Sequence, residues 1–272
     1  MKSIFQEKAE VLNNIRIGLS YGRIALQCTN HYSIAKPGQF VMLRVENGAG
    51  PLLRRPFSIH RLLMQKGHIA RIEILYKIVG SGTRRVAALS RGDRVDILGP
   101  LGNGFAISDH LQRVIIAGGG IGVAPLLFLA SALRLMKIGP AKCTLFIGGR
   151  SKSDMLCMNE FAEMGITPHI STDDGSAGEK GFLTDSLEAS IQEKRPDIIY
   201  ACGPMEMLAC VADIAEKYET PCQVSIETVM ACGMGACLGC AVKGKSSESE
   251  YLHACLDGPV FDARLLSLQS GT

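Results

Sequence analysis

No sign of charge dominates this sequence: its 272 residues hold 29 Lys and Arg against 26 Asp and Glu, a formal net charge of +3. No block of Lys or Arg occurs, so nothing in the charge pattern suits a nucleic acid or an anionic membrane. Proline is scarce, 11 residues against 30 Gly, in a chain that is 47% hydrophobic and 20% charged. Disorder, collagen-like repetition and low complexity are excluded as descriptions of the whole. No internal repeat is visible. The opening MKSIFQEKAEVLNN is polar and charged and lacks the apolar core and small-residue cleavage site of an export signal. The expected compartment is therefore the reducing cytoplasm.

Cysteine, by contrast, is abundant, with 10 residues. In a reducing compartment thiols serve as metal ligands or as small buried hydrophobes, and a tight cluster favours the first role. The length exceeds the usual single-core domain of about 100 to 200 residues, so more than one core is expected. One charge-free run, Val114 to Leu133, is long enough to cross a bilayer. Gly118, Gly119, Gly120 and Gly122 crowd it, with Pro125 behind, so it reads instead as strand, glycine turn and helix.

Residues 1–104 read as strands joined by turns, without convincing helices. Ile69 to Ile78 alternates, with Ala70, Ile72, Ile74, Tyr76 and Ile78 on one face and Arg71, Glu73 and Lys77 on the other, as in a half-buried strand. Further strands are expected at Arg16 to Gln27, Gln39 to Val45, Phe57 to His60 and Arg94 to Leu98. This pattern suggests a small antiparallel barrel. Residues 105–226 alternate strand and helix. Strands are expected at Arg113 to Ala117, Lys142 to Ile147, Pro168 to Ser171, Asp197 to Tyr200 and Gln223 to Ile226. The helices between them are expected at Pro125 to Met136, Asp154 to Glu163, Asp185 to Glu193 and Met205 to Lys217, so the sheet is parallel and covered on both faces. Residues 227–272 are mostly Cys and Gly, then a polar loop from Lys243 to Glu250. Their low apolar content predicts a segment held by a bound metal centre.

The strongest motif is Cys232, Cys237, Cys240 and Cys255, spaced C-x4-C-x2-C-x14-C. Four thiolates with that opening and a distant fourth Cys follow plant-type [2Fe-2S] spacing. Gly233, Gly235 and Gly239 let a loop turn its amides toward sulfur. A four-cysteine zinc site is the alternative, although it more often shows two C-x2-C knuckles. The second motif is Arg54-Arg55-Pro56-Phe57-Ser58. Its aromatic and polar groups suit a flavin, and Gly80-Ser81-Gly82-Thr83, after Leu75-Tyr76-Lys77, suits a phosphate. The third is the turn Gly118 to Gly122. It misses the G-x-G-x-x-G spacing, yet still lets backbone approach a pyrophosphate at a helix N-terminus. Cys202-Gly203-Pro204 lies between a strand and a helix, where parallel sheets bind ligands.

Several smaller features carry no motif. The six His show no ligand spacing, Met230 and Met234 read as packing, and Asp173-Asp174-Gly175-Ser176 reads first as a turn. Arg150, after the second parallel strand, is either a contact for a 2′-phosphate or a solvated turn residue.

The three motifs share a rationale. Nicotinamide exchanges electrons in pairs and an iron-sulfur cluster passes them singly, so a flavin between them serves as converter. Taken in order, RRPFSI, LYK-x4-GT, AGGGIGVAP, CGPMEM and CGMGACLGC resemble the ferredoxin reductase superfamily over nearly the whole chain. More narrowly, ETVMACGMGACLGCAV with CLDGPVF is similar to the electron-transfer subunits of class 1B dihydroorotate dehydrogenase. The resemblance implies a Greek-key FAD barrel over residues 1–104, an NAD-binding α/β domain over 105–226 and a [2Fe-2S] segment over 227–272.

By matching positions it puts FAD on Arg55, Pro56, Phe57, Ser58, Leu75, Tyr76, Lys77, Gly82 and Thr83. It puts NAD at Gly119, Gly120, Gly122, Cys202 and Gly203, and the cluster on the four cysteines. Phe57 stands where many superfamily members carry Tyr. The resemblance also implies a separate FMN-containing dihydroorotate dehydrogenase catalytic subunit, two copies of each chain, and electron flow through cluster and FAD to NAD+ in pyrimidine synthesis. The nearest rival is a flavin and [2Fe-2S] subunit serving ferredoxin, a sulfur reductase or a hydrogenase. A rival of another class is a zinc-stapled interaction module, which would be colourless.

Overall fold

The structure is a computed structural model and describes residues 4–45, 53–65, 68–247 and 250–268. Glu248 and Ser249 of the Lys243 to Glu250 loop, and the first three residues, lie outside it.

The N-terminal half is an antiparallel sheet of seven strands: β1 (Phe5–Ile17), β2 (Tyr21–Gln27), β3 (Phe40–Arg44), β4 (Arg55–Ser58), β5 (Arg61–Gln65), β6 (His68–Lys77) and β7 (Arg94–Leu101). They lie in the order β4-β3-β7-β1-β2-β6-β5. The end strand β4 also packs against β6, so the sheet is curled. Among the described residues β4 and β5 do not pair, and the closed barrel expected from sequence is an open curled sheet here.

Two other expectations change. The single strand expected over Arg16 to Gln27 is two, because Gly18 takes a φ of +58° and turns the chain into a hairpin. The polar opening segment is itself β1, alternating so that Ala9 and Val11 face the core. The polar face of β6 is not wholly solvated: Glu73 is buried, with Arg71 Nε 3.2 Å and Arg61 Nη1 3.8 Å from its carboxylate. Charge pairing, invisible to periodicity, lets this carboxylate be buried. A short helix, α1 (Ser81–Ala87), stands where only a glycine turn was expected.

The second half follows the expected alternation closely. Its elements are β8 (Val114–Gly119), α2 (Val123–Leu135), β9 (Cys143–Gly149), α3 (Met158–Glu163), β10 (Pro168–Thr172), β11 (Glu179–Lys180), α4 (Leu183–Glu193), β12 (Ile198–Cys202), α5 (Met205–Lys217) and β13 (Cys222–Ser225). The order is β11-β10-β9-β8-β12-β13, all parallel. The apolar runs of β8, β9 and β12 sit between helices, which is why they read as continuous rather than alternating. Val114 to Leu133 is thus β8, a glycine turn and α2. No helix among the described residues is long and apolar enough to cross a membrane.

The last segment carries β14 (Ala241–Lys243), β15 (Tyr251–His253) and β16 (Val260–Asp262). The strand β16 adds antiparallel to β13, and Phe261, Ala263 and Leu266 are buried in the core that also holds Val224 and Leu208. Sheet pairing therefore helps hold a segment for which composition had suggested only a metal centre.

Candidate flavin, nucleotide and cluster sites

Two cavities meet at the junction of the sheets. The smaller, about 270 Å³, is lined by Pro56, Phe57 and Ser58 from β4, by Leu75, Tyr76 and Lys77 from β6, and by Thr83. Phe57 and Tyr76 meet edge to face, ring centroids 6.2 Å apart, and the Tyr76 hydroxyl donates to Asn14 Oδ1 at 2.9 Å. An aromatic wall flanked by the hydroxyls of Ser58 and Thr83 and the Lys77 ammonium suits a fused aromatic ring system. Arg55 and Gly82 line a separate small cleft beside it, together with Arg85. Thr83 Oγ1 accepts the N–H groups of Val79 and Gly80 at 2.9 and 3.1 Å, which fixes the entrance to α1. Of the nine residues matched to FAD, seven are gathered at the larger of these two spaces.

The other cavity, about 670 Å³, opens at the carboxyl ends of the parallel strands and is lined by Gly119, Gly120, Gly122 and Gly203. The first-half sheet contributes Tyr21 and Lys77 to it. Glycine at 122 is required by close approach: a Cβ there would lie 2.2 Å from the Cys202 carbonyl oxygen and 2.6 Å from Gly203 Cα. The turn after β8 and the turn after β12 thus pack backbone on backbone, and both line the cavity at the N-terminal ends of α2 and α5, where backbone suits an anion. Cys202 itself is 2% exposed and belongs to the packed core beneath. Burial pushes its thiol well above the ordinary range.

Lys77, Ile121 and Glu227 line both cavities, so the two spaces adjoin there. Glu227 follows β13 and is exposed to the open cavities; the protein walls around it raise its carboxyl while Lys77 draws it back down. No sequence pattern marked Glu227, since a single acid after a strand has no periodicity. Phe182 was missed as well. It is 67% exposed on the wall of the larger cavity, directly after Gly181, and an exposed Phe after a turn glycine was the available signal.

Next to the smaller cavity lies the cysteine loop. Met230, on that cavity's wall, packs in one core with Met42, Cys240 and Cys255, whereas Met234 is exposed. The Cys240 and Cys255 sulfurs are 3.2 Å apart and buried, and Cys255 Sγ also accepts the Gly235 N–H at 3.1 Å. Cys232 Sγ accepts the N–H groups of Met234 and Cys237 at 3.5 and 3.4 Å. Gly233 and Gly235 have φ of +74° and +84°, which turns these amides inward. The four cysteines stand as two pairs, Cys232 with Cys237 on the 232–240 loop and Cys240 with Cys255 across the base of the β14–β15 hairpin. Among the described residues no three metal-ligating side chains converge on a point.

The pairs differ electrostatically. Burial would raise Cys232, but the amides of Met234 and Cys237 bring it down to about 7. Burial and then the neighbouring Cys240 push Cys255 up to about 12. Two crowded buried thiols next to inward amides are a donor set whose ionisation a cationic iron centre would favour, so the residues fit a thiolate-ligated cluster.

Comparison with known proteins follows the same division. Residues 227–267 match the iron-sulfur cluster binding domain of dihydroorotate dehydrogenase B, and residues 115–213 match an oxidoreductase NAD-binding domain. The chain is 38% identical over 255 residues, 93% of this chain and 95% of the relative, to the electron transfer subunit of dihydroorotate dehydrogenase B (NAD(+)) of Caldanaerobacter subterraneus subsp. tengcongensis. It is 42% identical to that of Geobacillus kaustophilus over 84% of this chain and 85% of the relative. The chain belongs to the dihydroorotate dehydrogenase B electron transfer subunit family.

Solved structures supply a frame for the fold as well. A solved NADH-dependent reduced ferredoxin-NADP oxidoreductase is similar with a TM-score of 0.80 and 28% identity, covering 96% of this chain and 90% of that one. The cytochrome b5 reductase domain of Ulva prolifera nitrate reductase shares the fold at a TM-score of 0.64 and 18% identity, covering 84% of this chain and 96% of that one.

Proposed function

We propose that this chain is an oxidoreductase subunit. It takes electrons from an FMN-containing dihydroorotate dehydrogenase catalytic subunit and passes them through a [2Fe-2S] cluster and FAD to NAD+, in pyrimidine synthesis. The observation that carries the reading is adjacency. The larger cavity adjoins the smaller at Lys77, Ile121 and Glu227, and the smaller reaches the buried Cys240–Cys255 pair through Met230. Family membership supports the assignment of the partner's reaction.

In this reading FAD is held by Arg55, Pro56, Phe57, Ser58, Leu75, Tyr76, Lys77, Gly82 and Thr83. The dinucleotide lies at Gly119, Gly120, Gly122 and Gly203, with Cys202 contributing its carbonyl to the packing of Gly122 against the second turn. Cys232, Cys237, Cys240 and Cys255 ligate the cluster. Bound flavin supplies the conversion between paired and single electrons. The chain's own residues orient and enclose. Phe57 and Tyr76 present an aromatic wall, Met230 and Phe40 keep the cysteine side of that cavity apolar, and Glu227 beside Lys77 offers a proton-holding group where the cavities meet. No residue in either cavity forms a recognisable site for the dihydroorotate ring, so that oxidation belongs to the partner.

Around the cysteine loop Val229, Met234, Leu238 and Leu256 are exposed, an apolar rim suited to a protein partner. We assign the FAD part to residues 1–104, built on the curled antiparallel sheet, the NAD part to 105–226 and the cluster part to 227–272. The assembly is a cytoplasmic heterotetramer of two chains of each kind.

The similar solved oxidoreductase makes ferredoxin the competing partner. Two measurements decide. An anaerobic visible spectrum with iron, sulfide and flavin analysis of the purified chain should show FAD and a [2Fe-2S] cluster; a colourless protein containing zinc refutes the reading. Dihydroorotate-dependent NAD+ reduction should appear only on mixing with an FMN dihydroorotate oxidase. Activity with ferredoxin alone selects the competitor.

A further inference from the structure

The larger cavity has one polar wall that its own parallel sheet does not build. Tyr21, the first residue of β2, donates its hydroxyl to Asp154 Oδ1 at 2.6 Å across 133 positions of sequence. Both residues are buried, 2% and 5% exposed. The other carboxylate oxygen of Asp154 accepts the backbone N–H of Arg150 at 3.1 Å and its Nε at 3.4 Å. Lys77 Nζ stands 5.6 Å from the centre of the Tyr21 ring. All four residues line the cavity.

The chemistry runs in one direction. Burial by itself would raise the Asp154 carboxyl, yet the Tyr21 hydroxyl and Arg150 hold it below the usual carboxylate range, so it is ionised at neutral pH. Gly149 is glycine because a Cβ there would lie 2.7 Å from Asp154 Cβ, so the carboxylate is pressed against the end of β9. The Arg150 side chain is nevertheless 75% exposed, and, held through Nε by Asp154, it lines the cavity at the end of the strand paired with β8. A cation at a strand end, beside amides that suit a pyrophosphate, is placed for a dinucleotide phosphate oxygen.

We propose that Tyr21, although it belongs to the flavin-side sheet, is a positioning residue for the nicotinamide dinucleotide: by anchoring Asp154 it holds Arg150 where it meets a phosphate oxygen of NAD(H). The proposal rests on the reading of this cavity as the dinucleotide site. It makes one side of that site depend on how the two sheets are docked, since the Tyr21–Asp154 hydrogen bond spans them.

The test is NADH-dependent ferricyanide reduction by the holoprotein, with Tyr21→Phe, Arg150→Ala and the double variant, and with FAD and iron content measured in each. Losing one hydrogen bond to a carboxylate predicts a rise of about fivefold in KM for NADH in Tyr21→Phe, with kcat within about twofold. Arg150→Ala raises KM about tenfold. The double variant is no worse than Arg150→Ala, because the tyrosine acts through the arginine. Weaker binding of ADP-ribose to Tyr21→Phe by calorimetry should match the KM change. An unchanged KM in Tyr21→Phe overturns the proposal, as does the same fold-increase from Tyr21→Phe in both backgrounds. A parent protein whose flavin NADH does not reduce overturns the reading of the cavity itself, an outcome distinct from either.

Discussion

Replacing Gly122 by alanine probes the close backbone approach in the cavity proposed for the dinucleotide. Gly122 has a φ of −59°, which any residue adopts, so the substitution carries no left-handed strain. The cost is contact: the new Cβ would lie 2.2 Å from the Cys202 oxygen, 2.5 Å from the Cys202 carbonyl carbon and 2.6 Å from Gly203 Cα. These are backbone atoms that cannot rotate aside, so the turns after β8 and β12 must separate by about 1 Å to reach ordinary contact. Overpacking of this kind costs about 2 kcal/mol. In a chain of this size that lowers Tm by roughly 6 °C. Moving the amides of the β8 turn by the same distance should raise KM for NADH at least about tenfold. Gly139→Ala is the control, since Gly139 also has an ordinary φ, −73°, and a Cβ there would meet nothing within 4 Å. It should leave Tm and KM unchanged. Thermal melting and NADH-dependent ferricyanide reduction are the assays. A Gly122→Ala protein with the parent Tm and KM would refute the close-packing argument, and so would equal damage from the control.

Three further outcomes are expected. Cys237→Ser should lose the cluster's iron and sulfide and loosen the 232–240 loop, whereas full iron and sulfide content would remove that cysteine from the ligand set. Arg55→Ala should shed FAD on dialysis, because the guanidinium lies beside Gly82 at the entrance to α1, with Cγ and Nε each 3.4 Å from a Cβ built there; unchanged flavin occupancy counts against the assignment. His60 is buried with Nδ1 2.8 Å from the Ala124 carbonyl oxygen, and burial lowers its pKa to about 4. The unfolded chain takes up this proton first, so the contribution is intact above about pH 6.5 and is lost as pH falls toward about 4, at most about 3 kcal/mol. Urea melts from pH 7 to 4 should show that slope, and His60→Gln should flatten it; a parallel acid limb in the variant would show that the slope arises elsewhere.

Much of this protein is written locally. The helix at Met205–Lys217 was legible to the residue because its apolar stripe recurs with helical period between a Pro and a polar turn. The cysteine spacing specified a cluster loop, since ligand number and glycine placement are properties of a short segment. Composition alone, however, could not show that Val260–Asp262 would pair with β13, and it assigned the last segment's stability to metal only.

What sequence determined, then, is the kind of chemistry and the order of its parts: short motifs carry it, because cofactor ligands and phosphate-facing turns are fixed by neighbours a few residues apart. What only tertiary structure decided is how the parts meet. Glu227 reaches both cavities, Glu73 is buried with its charge paired, and Tyr21 crosses 133 residues to hold Asp154. The first and last are made when the two sheets dock and the second when β5 pairs with β6, and no periodicity along the chain encodes which side chains those contacts bring together.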